Sequence, residues 1–249
     1  MRVAASAAEA RELDAAAAAS GVSTASLMAV ASFQVARLAD RLLLRDGRRP
    51  GRVAVVAGRG NNGADALGSC RHLAAWGHRV QAVVLAEPPG ASEVYCEQLR
   101  ATEAAGVVLA FGLEAVAELL RGADLIIDGL LGTGAHGAPR SDAAAAIAAV
   151  NAAPAPVLAI DVPSGLDASD GSRPGECVRS RATVMLGAVK TGCRSVAARP
   201  WVGELWLADI GIPSRAYQSV GLRPPLTTGA GLVALTGAES GAAPGATVQ

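Results

Sequence analysis

Val53-Ala-Val-Val-Ala-Gly-Arg-Gly-Asn-Asn-Gly-Ala-Asp65 is an apolar run that stops at a glycine-rich turn and hands over to two amides and a carboxylate. A short, uninterrupted apolar run predicts a strand buried on both faces, as in a parallel sheet covered by helices. A buried strand that ends this way brings backbone N–H groups, Asn61, Asn62 and Asp65 to one point. That suits a polar, phosphorylated small molecule.

Around this strand the pattern alternates. Upstream, 7–20 is alanine-rich with charges on one side and Gly21 as its stop, and a second helix is expected at 24–44, broken by Pro50-Gly51. Downstream, helices are expected at 64–76, 92–105, 114–121 and 141–150, with strands at 79–85, 107–110, 124–128 and 156–160 between and after them. Short apolar runs separated by helix-length segments mean parallel strands with right-handed crossovers. Beyond Pro163 shorter strands, 182–186 and 203–207, are expected to extend the same sheet at one edge without clear helices between them. Residues 1–225 read as one domain. The Gly/Ala-rich stretch 226–249 reads as a flexible tail.

Half of the 249 residues are apolar and few are aromatic, so an aliphatic core of α/β layers is expected rather than an aromatic-rich sandwich. Formal net charge is zero, which removes the usual electrostatic case for nucleic acid or an anionic membrane. Arg45, Arg48 and Arg49 form the one basic cluster, read as a solvated helix end. Cys70, Cys96, Cys177 and Cys193 lie far apart without metal-ligand spacing, as expected in a reducing compartment. Glu9, Arg11, Glu12 and Asp14 interrupt any leader-like apolar stretch, and no uncharged run approaches the roughly 20 residues of a membrane span. A cytoplasmic protein is expected.

Three expected strands end in unusual polar turns: Gly58 to Asp65, Asp128-Gly-Leu-Leu-Gly-Thr-Gly134, and Asp161-Val-Pro-Ser-Gly-Leu-Asp167. In an open parallel sheet ligands bind beyond the carboxyl ends of the strands, so the three turns should converge. The first turn satisfies G-x-G-x-x-G, and Glu87 stands about where a ribose-binding acid would stand in a nicotinamide dehydrogenase. Asp65 argues against that, because a carboxylate in the first helical turn would crowd a pyrophosphate there. Its plainer role would be to favour the helix dipole. Asp128 is costly to bury without a donor or a cation, unless it only closes an Asx turn. Asp161 and Ser164 leave an acid and a hydroxyl on one rim, although Ser164 could simply cap. Lys190 follows an apolar strand and could equally be a surface lysine. Gly-x-Ser-x-Gly is absent, which disfavours a hydrolase elbow.

Together these segments resemble the NAD(P)H-hydrate epimerase family, also called the YjeF N-terminal domain family. Its G-x-G-N-N-G-G-D-G, D-x-x-x-G-T-G, D-[IV]-P-S-G, A-P-K and D-I-G-I-P marks read here Gly58 to Ala66, Asp128 to Gly134, Asp161 to Gly165, Ala188-Val-Lys190 and Asp209-Ile-Gly-Ile-Pro213. They run in order across about residues 5 to 215. The resemblance implies a three-layer α/β/α Rossmann-like domain with a mostly parallel sheet, two helices before the first strand, and a homodimer. It implies that Asn61, Asn62, Gly63, Ala64, Asp65, Gly132, Thr133, Gly134, Ala135, His136, Gly137, Ala138 and Asp161 hold the substrate. Asn62, Asp128 and Ser164 would hold a potassium ion, being hard oxygen donors. A separate ADP- or ATP-dependent dehydratase would be the pathway partner, since no second glycine-rich, kinase-like region follows Pro213.

The implied chemistry is simple to derive. In a hydrated nicotinamide the hydroxyl sits on a carbon bonded to the ring nitrogen. The nitrogen lone pair can expel it, leaving a planar iminium that water attacks from the other face. Such a site needs an acid/base carboxyl and negative charge near the cation. Asp161 is expected as acid/base with Lys190 in support, and Asp65 as a further catalytic residue.

Two departures set expectations for the pocket. Leu27-Met-Ala-Val-Ala-Ser32 replaces the family's L-M-E-N-A-G, losing both polar groups at Ala29 and Val30. Ala64 and Ala66 replace glycines, and their methyls would narrow a loop meant to hug a ligand. A repurposed isomerase or ring-closing enzyme, or a catalytically silent scaffold, would be the alternatives.

Overall fold

The computed structural model describes residues 2–85, 90–225 and 231–235. In chain order its elements are β1 (Ala4–Ala5), α1 (Ala7–Ala19), α2 (Thr24–Arg45), β2 (Arg52–Ala57), α3 (Asn61–Ala75), β3 (Arg79–Val84), α4 (Glu93–Ala104), β4 (Val108–Phe111), α5 (Val116–Leu120), β5 (Leu125–Gly129) and α6 (Ser141–Ala152). Then follow β6 (Val157–Ile160), β7 (Ala182–Leu186), β8 (Val189–Lys190), α7 (Arg199–Val202), β9 (Glu204–Ala208), α8 (Ser214–Ser219) and β10 (Leu232–Ala234). Eight strands form one sheet in the order β10-β9-β7-β6-β5-β2-β3-β4, parallel throughout except for β10.

The alternation along β2 shows why the sheet is covered twice. Val53, Val55 and Ala57 pack with α1 to α4 and α8, whereas Ala54 and Val56 pack with α5 and α6. All five are buried, each valine side chain being worth roughly 1.5–3 kcal/mol relative to exposure. The expected three-layer α/β/α arrangement follows. From β2 the chain moves outward through β3 to β4, then returns to the other side of β2 as β5. That reversal opens a crevice above the carboxyl ends of β2 and β5.

Several boundaries differ from the sequence expectation. Before α1 comes β1, which pairs in parallel with β8 as a separate two-stranded sheet. Ser6 then starts α1 with a capping box, its hydroxyl accepting from Glu9 N while Ser6 N donates to the Glu9 carboxylate. Helix α3 begins at Asn61 rather than residue 64, because Gly63 lets the chain double back: a Cβ there would lie 1.9 Å from Gly58 O. Asp65 therefore stands beyond the first turn, and dipole complementation is not its role. Short helices α7 and α8 flank β9 where none was clear from sequence. Within the stretch expected as a tail, β10 pairs antiparallel with β9, so Leu232 to Ala234 belong to the sheet. The rest of 226–249, and Glu87 with its suggested ribose role, lie outside the described residues.

Arg45, Arg48 and Arg49 do not form a free basic patch: they pair with Glu204, Asp124 and Asp40. Among the described residues no helix is long and apolar enough to cross a membrane, and all four cysteines are unpaired.

Candidate active site

The three polar turns do converge. Residues Asn61, Asn62 and Asp65 from the start of α3, Gly132 to Ala135 after β5, and Asp161 after β6 line one cavity of about 660 Å³, with Lys190 from β8 in its wall. This is the size of a small-molecule site. The first two turns cross at Gly58, where a Cβ would meet Leu130 O at 1.9 Å, so only glycine lets the backbones pass. Helix α2 supplies an apolar wall through Leu27, Met28 and Ala31.

Asp161 is held hard. It is the one non-glycine residue with positive φ, 66°, among those described, a conformation that costs roughly 1–3 kcal/mol unless the surroundings impose it. Its backbone N donates to Val184 O at 2.7 Å. Leu186 N donates to Oδ1 at 3.1 Å, Lys190 Nζ lies 2.5 Å from the same oxygen, and the Thr133 hydroxyl donates to Oδ2. Lys190 is 2 % exposed and also donates to Leu186 O and Ala188 O, so it is a buried ion-pair partner and no surface lysine.

Asp65 is the opposite. It is 7 % exposed, and no hydrogen bond among the described residues reaches its carboxyl. Burial pushes its pKa well above the usual carboxylate range, Asp161 and Asp14 add repulsion, and Lys190 offsets only part of this.

Beneath the cavity Asp128 is fully buried. Ser164 Oγ donates to its Oδ1 at 2.6 Å, Ser164 N to Oδ2 at 2.9 Å, and Leu130 N to Oδ1 at 3.2 Å. Ser164 Oγ also accepts from Leu131 N, and Asn62 Nδ2 donates to Leu131 O at 2.9 Å. Thus Asn62 and Ser164 meet at Leu131, and Ser164 joins that point to Asp128. No cationic side chain among those described pairs with Asp128, and burial lifts its pKa to about 6 against the lowering by the Ser164 and Leu130 hydrogen bonds. A buried carboxylate beside a hydroxyl, an amide and a carbonyl fits a monovalent hard cation. Among the described residues no group of three or more His, Cys, Asp or Glu side chains is placed to hold a metal ion.

Other expected substrate residues stand elsewhere. Gly63 and Ala64 lie behind the loop, and His136, Gly137 and Ala138 lie on the exposed rim, where His136 contacts Arg11 and Asp167. Ala64 and Ala66 are fully buried and face the core: a Cβ on Gly129 would meet the Ala66 methyl at 2.5 Å. Their methyls do not narrow the cavity. Ala29 and Val30 are exposed on the outer side of α2. Both departures therefore leave the cavity wall untouched.

Sequence reasoning missed α1. Ala10, Arg11, Leu13 and Asp14 all line the cavity. Spaced i, i+3 and i+4 on an alanine-rich helix, they look like the face of any surface helix. Asp14 keeps solvent contact, yet burial and Asp161 raise its pKa while Lys190 lowers it.

The family model for YjeF-related protein N-terminus matches residues 24–192. An NAD(P)H-hydrate epimerase of Dehalogenimonas lykanthroporepellens is 40 % identical over 200 residues, covering 79 % of this chain and 78 % of that protein. A second, of Pirellula staleyi, is 32 % identical over 70 % of this chain and 78 % of its own. A bifunctional NAD(P)H-hydrate repair enzyme Nnr of Pyrobaculum aerophilum is 37 % identical over 73 % of this chain, which spans only 37 % of that longer protein. The crystal structure of yeast YNL200c superposes with a TM-score of 0.82, covering 93 % of this chain and 99 % of its own at 23 % identity, which shows the shared fold.

Proposed function

The chain belongs to the family of YjeF-related protein N-termini, and from that premise we propose that it is an isomerase interconverting the R and S hydrates of NADH and NADPH. The observation that carries this is the pairing, in one cavity, of two carboxyls in contrasting environments: Asp161, ion-paired to Lys190, and Asp65, desolvated and without a donor. Carboxyls in such unlike surroundings can divide the work of acid and base.

Asp65, protonated, gives its proton to the hydroxyl as the C–O bond breaks and the ring nitrogen lone pair forms the C=N bond. Water leaves and a planar iminium remains beside the Asp161 carboxylate. A water attacks the other face of that carbon and its proton passes to Asp161. Each turnover leaves Asp65 ionised and Asp161 protonated, the state that runs the reverse reaction; exchange of both protons with solvent restores the starting state. The expectation that Asp161 does both jobs is thereby divided, with Lys190 holding Asp161 in place. The N–H groups at the start of α3, which has no side-chain cap, and those of Gly132 to Gly134 suit the phosphates. No electrons are transferred, so no redox cofactor is needed.

Asn62, Asp128, Ser164 and Leu131 O would hold a potassium ion. Its charge would neutralise Asp128 and stiffen the two turns that frame the cavity. Phe33, exposed beside Val30 on α2, packs edge-on against the half-buried His72 and Trp76 at the end of α3, with ring centroids 5.3 and 5.8 Å from its own, and suits a homodimer contact. The bifunctional relatives support a dehydratase as the pathway partner.

The test is to incubate the protein with each purified epimer and follow the mixture by chromatography. Each should relax to the same R/S ratio faster than in buffer; equal rates with and without protein would refute the assignment.

A further inference from the structure

We propose that Asp14, on α1, is a third working carboxylate of this cavity and supplies the negative charge that faces the reacting ring when it becomes cationic. Two features of the fold bring it there. Helix α1 follows directly on β1, and β1 is laddered to β8 with Ala5 opposite Lys190 and Thr191 N donating to Ala5 O at 3.0 Å. Ala10, Leu13 and Ala17 then bury one face of α1, leaving Asp14 in the cavity wall. The strand that carries Lys190 is thus tied to the helix that carries Asp14. Residues 7–19 lie outside the segment matched by the family model.

Asp14 has no structural task to account for it. No hydrogen bond or ion pair among the described residues engages its carboxylate. Asp161 is already neutralised by Lys190, and Asp65 must carry a proton to act as the acid. Asp14 is then the carboxylate with charge to spare. The groups that face it are Asp65 from α3, Asp161 from the turn after β6, Lys190 from β8, Tyr217 from α8, whose hydroxyl burial pushes well above its ordinary value, and Arg11 from its own helix, with Arg59 at the mouth. Repulsion between Asp14 and Asp65 also helps to keep the proton on Asp65.

The kinetic arm of the test rests on the epimerase assignment; the spectroscopic arm does not. In Asp14→Asn, kcat for hydrate interconversion should fall roughly 10²-fold, as for loss of one preorganised electrostatic group, with KM little changed. Asp14→Glu should recover part of it. Losing the charge also lowers the pKa of Asp65, so the alkaline limb of the pH–rate profile should move to lower pH. Carbon-13 carboxyl NMR, with the Asp65 resonance identified through Asp65→Asn, should show the same downward shift of its midpoint in Asp14→Asn. Wild-type kcat together with an unmoved Asp65 midpoint overturns the proposal. If the wild-type protein leaves the hydrates unchanged, the epimerase assignment fails, and the NMR midpoint alone decides whether Asp14 belongs to the acid cluster.

Discussion

Asp161 and Asp65 share a cavity and a residue type, yet their surroundings are opposed. Asp161 has a lysine, a threonine hydroxyl and a backbone N–H converging on it, and a backbone twisted to present it. Asp65 has burial and two like charges. A fold spends stability to create such a contrast, since a desolvated carboxyl without a donor costs folding energy wherever it sits. In the proposed mechanism, environment rather than residue identity sets which carboxyl gives a proton and which takes one.

The contrast can be broken most directly at its strong pole. Asp161→Asn keeps the shape, tolerates the backbone and removes the charge, and should cost about 10³- to 10⁴-fold in epimerisation rate with the fold intact. Near-normal turnover there would end the division of roles.

At the weak pole the effect should split. Asp65→Asn is expected to lose about 10²-fold or more in kcat yet to melt at a higher temperature at neutral pH. The sign follows from the raised pKa. The folded state prefers the protonated carboxyl, so stability is lost as pH rises from the unfolded value, about 4, towards the folded one. The gain from the amide should therefore grow between pH 4 and pH 8 in a series of thermal melts; a flat or negative difference would contradict the electrostatic account.

A third carboxylate sharpens the comparison. Asp128 titrates at about 6, so potassium should raise the melting temperature above that pH and do little below pH 5, where the carboxyl is neutral. Asp128→Asn should abolish the difference between potassium and a bulky organic cation. The smallest effect belongs to the loop. Ala66→Gly should leave KM within about twofold and cost about 1 kcal/mol of stability, as glycine does inside a helix, since its methyl fills the core and not the cavity. A large change in KM would return the loop to the substrate.

Much of this was legible because strand-end chemistry is local. The stretch Val53 to Asp65, the Asp128 turn and the Asp161 turn each show an apolar run followed by glycine and polar groups, and the topology brings them together. The family motifs singled out Asn62, Asp128 and Ser164, which the structure links through Leu131 and the Ser164 hydroxyl. What escaped depends on long-range packing. Asp14 looks like any charged residue on an alanine-rich helix, and it is the β1–β8 ladder, 185 positions apart between Ala4 and Val189, that sets its helix beside the cavity. Strand β10 was hidden in a Gly/Ala-rich stretch, because its pairing is decided by the edge of β9 and not by its own composition. The altered positions 29, 30, 64 and 66 were visible, but which way they point was not. A helix shows its faces only after its neighbours are known.

The left-handed backbone at position 161 governs how mutational scans of this protein should be interpreted. Alanine there adds a conformational penalty to the lost carboxylate, so an inactive alanine variant conflates a distorted turn with missing chemistry. Asparagine, which tolerates that geometry, isolates the charge, and glycine isolates the side chain; ranked together, the three separate architecture from reactivity at one codon.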